Sequence, residues 1–167
     1  LLAERYIQNE CKKYIIIRMS DLFGTNQNKG IDKLINDALT KSIIFCPKDI
    51  TSKFYPIYID DSSQIIFNLI FNEDKLNTIW FVNGPKGYSY SDIIEEVMKL
   101  TRRKIKIIYI SRKLLFSIMN VLKILPFKIG IVPDQIKRLY CNKEYGAVRY
   151  HFTDIETYIR IKLKIKI

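Results

Sequence analysis

Arg18, Met19, Ser20, Asp21 and Leu22 follow directly on the apolar run Tyr14, Ile15, Ile16 and Ile17, and the stretch closes at Gly24. An apolar run of this length, bounded by turn formers, reads as a strand buried on both faces. Such strands belong to parallel sheets covered by helices, and open parallel sheets take their ligands beyond the carboxyl ends of the strands. Chemistry is therefore expected at Met19 to Leu22. Asp21 is acceptor-only when ionised and is equally suited to closing its own turn. The single histidine, His151, and the three separated cysteines, Cys11, Cys46 and Cys141, have no zinc spacing, so no metal site is expected.

The elements that must position these residues alternate along the chain. Residues 1–9 read as the end of a helix with Leu2, Tyr6 and Ile7 on one face. Residues 25–30 form a loop, and Ile31, Leu34, Ile35, Ala38 and Leu39 give a helix over 31–40. Residues 43–45 and 55–59 read as strands, the second at an edge because of Pro56. Asp60, Asp61 and Ser62 are expected to cap a helix over 63–71. A buried strand spans 78–82, a helix capped by Ser89 or Ser91 runs to Leu100, and a strand spans 105–110. Helices are expected over 111–124, over 133–140 behind Pro133, and over 153–159. Strands alternating with helices argue for an α/β fold with a largely parallel sheet.

Composition narrows the function classes. The chain has 167 residues, 48% of them hydrophobic, enough for one domain with a core. No apolar stretch is long enough to span a membrane, and the start of the sequence has no signal-peptide pattern. An odd number of dispersed cysteines fits a reducing compartment, here the cytoplasm. The formal net charge of +11 suits an anionic small substrate. Because the basic residues are spread out, a nucleic-acid partner is not expected. The apolar residues from Leu114 to Phe127 are read as covering a small subdomain, the alternative being an interfacial helix.

Several pieces in order carry a resemblance: Ala3-Glu4, then Ile16-Ile17-Arg18-x-Ser20-x-Leu22-Phe23-Gly24, then Tyr58-Ile59-Asp60-Asp61, then Phe81-Val82-Asn83-Gly84 with Tyr88-Ser89. Together they resemble the carboxyl-terminal half of extended short-chain dehydrogenase/reductases, the NAD-dependent epimerase/dehydratase family acting on nucleotide sugars. The resemblance implies the final part of a Rossmann-type parallel sheet (residues 1–24 and 55–84) and a small α/β substrate-binding part (25–54 and 85–158). A basic tail, 159–167, would follow. It implies NAD or NADP as cofactor, held mainly by an amino-terminal half, a nucleotide-sugar substrate, and a homodimer when the enzyme is intact.

The family's glycine-rich turn has no counterpart in Gly24 to Gly30, and its catalytic Lys would precede Leu1. Tyr109 and Lys113 repeat the Tyr-x-x-x-Lys spacing, but the chemistry needs both on one helix, with the ammonium lowering the phenol pKa. Tyr109 ends a strand and Lys113 begins a helix, so no catalytic residue is assigned. By the resemblance, Met19 and Ser20 would meet the cofactor. Asp21 and Leu22 would meet substrate, Asp21 where relatives carry an Asn. Lys53 and Phe54 stand where an Arg often grips the nucleotide, the first as a charge for pyrophosphate and the second as a stacking surface. Arg138 would reach a phosphate.

The tail alternates apolar and basic residues from Ile159 to Ile167, a strand pattern. It could add an edge strand, dock an anionic surface or stay loose. The rival to an enzyme half is a basic, non-catalytic module that docks nucleic acid or an anionic membrane through this tail. A degenerate relative of the enzymes is a third possibility.

Overall fold

The computed structural model describes residues 2–25, 29–48, 53–124 and 153–164. Six strands appear there: β1 (Ile15–Met19), β2 (Leu22–Phe23), β3 (Ile43–Pro47), β4 (Ile57–Tyr58), β5 (Thr78–Val82) and β6 (Lys106–Ile110). Six α-helices accompany them: α1 (Leu2–Glu10), α2 (Gly30–Thr40), α3 (Ile59–Ile70), α4 (Tyr90–Thr101), α5 (Arg112–Ile124) and α6 (Ile155–Leu163). The strands form three parallel pairs, β1 with β5, β2 with β4 and β3 with β6. In the first, Ile15 lies opposite Thr78 and Met19 opposite Val82, so both strands end at the same level. The expected α/β architecture is present.

Local chemistry explains the helix bounds. Ser89 accepts the Asp92 amide while Asp92 accepts the Ser89 amide, a reciprocal cap that starts α4. Apolar residues at Ile93, Ile94 and Val97 then face inward, as do Ile31, Ile35 and Ala38 of α2. Helix α3 starts at Ile59, four residues before the expected start, with Tyr58 as a cap that makes no side-chain bond. Asp60 and Asp61 sit in its first turn, where the helix dipole favours them. The Asp61 carboxylate accepts the Thr153 amide at 2.6 Å instead of capping its own helix.

Two cores result. The larger gathers Phe23, residues of α2, β3, α4 and α6, and Phe54 and Tyr88. The smaller, under α3, holds Ile57, Ile65, Leu69 and Val82, with Ile17, Met19 and Trp80 packed against it.

Other sequence expectations change, among them the buried strand at 78–82, of which only Val82 is buried. The Tyr14–Ile17 run is not buried on both faces: of β1 only Ile16 is buried, because β5 is its one partner among the described residues. The expected strand at 55–59 shrinks to two residues. The alternating tail is helical through Leu163, because Asp154 caps α6 and Ile155, Tyr158 and Ile159 supply a buried helical face. Tyr109 and Lys113 lie on β6 and α5 respectively, so they share no helix. The expected helix over 133–140 lies outside the described residues. No helix among the described residues is long and apolar enough to cross a membrane.

Candidate functional site

The mouth lies beyond the carboxyl ends of β1 and β5. The Ser20 amide donates to Val82 O at 3.1 Å, extending the pairing one step past the strands. Two polar residues then stand buried side by side in the fold, Ser20 (8% exposed) at the end of β1 and Asn83 (5%) at the end of β5. The Ser20 hydroxyl makes no hydrogen bond among the described residues. A buried hydroxyl left unbonded costs about 1–3 kcal/mol, and its position at the sheet mouth is where a ligand group would satisfy it.

A third segment, residues 53–58, crosses this mouth. The Ile57 amide donates to Asp21 O at 3.0 Å, and the Gly84 amide donates to Tyr55 O at 2.9 Å. Phe54 and Tyr88 exchange amide–carbonyl bonds at 3.0 and 2.9 Å. Two glycines permit this crossing. A Cβ on Gly84 would stand 1.8 Å from Pro56 O, and one on Gly24 would stand 2.3 Å from the Tyr58 ring, where the backbone also has φ +92°.

The sequence-predicted residues divide accordingly. Met19 is half-buried and packs on the smaller core, Ser20 is buried, and Asp21 and Leu22 are exposed at the rim. Lys53 is exposed at the far end of the crossing segment, where it lines a cleft of about 290 Å³ with Lys86, Tyr88, Asp92, Glu95 and Lys99. Four residues of extended chain, roughly 13 Å, separate it from the Ile57 contact with Asp21. Phe54 does not present a stacking face: it is buried, with its ring 5.2 Å from that of Tyr90. Its pairing with Tyr88 turns it into the larger core. Arg138 lies outside the described residues.

Sequence reasoning missed three contributors. Tyr90 opens α4, and burial pushes its phenol up to about 12, helped by the charge of Asp21 and then by Cys46. Asn83 carries a signal only through the resemblance. Asp32, 1% exposed, accepts the amides of Gly24 and Thr25 at 3.1 and 3.0 Å and so holds the end of the rim loop.

Behind the mouth, Arg18 donates to Glu4 through two nitrogens, at 2.9 and 2.6 Å, and its guanidinium lies over the Phe81 ring. The Arg18 hydrogen bond, opposed by slight burial, holds the Glu4 carboxyl below its ordinary value. This bond ties α1, which has no buried residue of its own, to the sheet. In the tail, Arg160 is engaged by Glu156 at 2.8 Å and Lys162 lies over the Tyr158 ring. Two of the cations proposed for a polyanion are thus used within α6.

Searched by sequence, the chain matches no family model. It also matches no curated protein. Its fold, however, is shared. The crystal structure of isoflavone reductase aligns with 96% of this chain and 56% of its own, at TM-score 0.67 and 14% identity. The dTDP-4-dehydrorhamnose reductase of Bacillus anthracis, in complex with NADP, aligns over 66% of this chain and 38% of its own, at TM-score 0.55 and 21% identity. A UDP-glucuronic acid 4-epimerase variant from Bacillus cereus, in complex with a UDP-sugar analogue and NAD, aligns over 66% and 36%, at TM-score 0.56 and 20% identity.

The fold is Rossmann-like. The chain spans between a third and three fifths of the length of these structural relatives.

Proposed function

We propose that this chain is the substrate-binding portion of an NAD(P)-dependent enzyme that modifies a nucleotide sugar, as an epimerase, dehydratase or keto-sugar reductase. The observation that carries the reading is the paired end of β1 and β5, with the Ser20 hydroxyl buried and unbonded there among the described residues. Open parallel sheets take ligands at that place. Structural neighbours crystallised with NAD, NADP and a UDP-sugar analogue support the substrate and cofactor classes.

The chain's residues fit only one end of the cofactor. Ser20 offers the nicotinamide end a hydroxyl, and Met19 offers it an apolar wall. Gly24 cannot cradle a pyrophosphate, because the space beside it is filled by the Tyr58 ring. NAD(P), when bound, supplies hydride exchange at a sugar carbon. Asp21 and Leu22 border the sugar, with Asp21 accepting from its hydroxyls. Lys53 lies far enough along the crossing segment to meet the diphosphate, a charge contact screened by salt, and Arg138 is assigned to a second phosphate. The acid/base pair and the pyrophosphate clamp belong to an amino-terminal half. The intact enzyme would then work in the cytoplasm, as a homodimer.

The test is turnover. UDP-glucose and NAD added to the purified chain should give no sustained conversion of the nucleotide sugar, read by chromatography. Joining the chain to the polypeptide encoded upstream should restore it. Sustained turnover by the 167-residue chain alone overturns the division of labour.

A further inference from the structure

We propose that α6 is a latch that positions the rim loop through Tyr158 and Asp32, an inference that rests on the substrate-mouth reading. The two residues are 126 positions apart in the sequence, and the Tyr158 hydroxyl donates to Asp32 Oδ1 at 3.0 Å. Asp32 also accepts the Gly24 amide at 3.1 Å, the Thr25 amide at 3.0 Å and the Thr25 hydroxyl at 2.8 Å. A carboxylate has about four acceptor sites, so these donors fill it. Three come from the loop that continues Ser20, Asp21 and β2, and one comes from α6.

The same helix packs on β2 and β4. The Tyr158 ring lies 5.4 Å from Phe23 and 5.7 Å from Tyr58, centroid to centroid. Phe23 and Tyr58 are themselves partners in the β2–β4 register. At the helix start, Asp61 of α3 accepts the Thr153 amide. Docking of α6 therefore completes the shell of a buried carboxylate and packs on both short strands at once. When α6 leaves, Asp32 lacks one donor, and the loop amides share a side chain open to water. Asp32 and Tyr158 are positioning residues, acting on the mouth through Gly24 and Thr25.

Tyr158→Phe separates latch from packing, because it keeps the ring and removes the hydroxyl. Asp32→Asn keeps one acceptor oxygen and replaces the other by an amide that opposes the donors. Both are made in the full chain, and amide hydrogen exchange is read residue by residue by NMR, together with UDP-glucose affinity. Tyr158→Phe should speed exchange at Gly24 and Thr25 about tenfold, the size of one net hydrogen bond, and weaken UDP-glucose by a similar factor. Asp32→Asn should do more, and β3 and β6 should exchange at their wild-type rates in Tyr158→Phe. Unchanged exchange at Gly24 and Thr25 in Tyr158→Phe, or an equal rise through the whole chain, overturns the latch. Loosening of the loop in a chain whose wild type never binds UDP-glucose supports the latch and defeats the substrate reading, so the two failures are distinguishable.

Discussion

Among the described residues, the core shared by α2, α4 and α6 buries fifteen, whereas the one beneath α3 buries four. Around the smaller core the apolar surface is open: Leu2, Tyr6, Ile66, Phe67, Ile70, Phe71 and Ile79 are all exposed, Leu2 at 84% and Phe71 at 72%. Its sheet, like the β3–β6 pair beside the larger core, has two strands among the described residues, and a two-stranded sheet alone is marginal in water. Exposed apolar residues of this size are ones a further layer would cover. The contrast separates two kinds of folding unit. The larger core has its own helices α2, α4 and α6, whereas the open face of α1 and α3 is where, on the proposed reading, a cofactor half would join.

The sharpest way to break this contrast is to truncate one residue on each side. Ile35→Ala, at a fully buried site of the larger core, should cost about 2–5 kcal/mol in urea unfolding. Phe67→Ala, on the open face of α3, should cost less than about 0.5 kcal/mol in the chain alone. It should cost more once the chain is joined to its proposed other half. Equal losses at the two sites in the chain alone would erase the distinction.

A smaller effect is expected where the two regions meet. Gly84→Ala drives a methyl group into the backbone oxygen of Pro56 and should cost about 1–3 kcal/mol or more. The same variant should widen the crossing of residues 53–58 and weaken UDP-glucose. Wild-type stability and affinity would mean that the crossing is not tight.

The smallest effect concerns α1. Its Glu4 carboxyl is held below the ordinary value of 4.5 by the Arg18 hydrogen bond. A depressed carboxyl contributes stability that is present above the unfolded value and lost as pH falls through the folded one. Amide protection in α1 should therefore fade below pH 4.5 while α4 stays protected. Glu4→Gln should remove that pH dependence. Fading at the same pH in both helices would show that α1 is not held by this pair.

Much of this organisation was readable from residue types. The strand at 78–82 has the bounds its sequence indicates, and α2 and α4 follow their apolar spacing and, for α4, Ser89. The tail was misleading because Ile159 to Leu163 alternates at period two while Ile155, Tyr158 and Ile159 fit period 3.6. The cap at Asp154 decides for the helix. The early start of α3 was hidden because Tyr58 caps it without a side-chain bond. At the site, the strand end at Met19–Ser20 was legible from the turn formers after an apolar run. Asp32 was not, because an Asp in the first turn of a helix looks like an ordinary dipole partner and its donors lie 7, 8 and 126 residues away. Phe54 was read as a ligand surface because nothing local announces its pairing with Tyr88, 34 residues on.

Titrating the isotope-labelled chain with UDP-glucose, and following each amide by NMR, tests the location of the substrate mouth most directly. The expected result is saturable shifts at Ser20, Asp21, Leu22, Lys53 and the Asn83–Gly84 turn, with β6 and α5 unmoved. Shifts confined to α5 or α6, or none at saturating ligand, would contradict it.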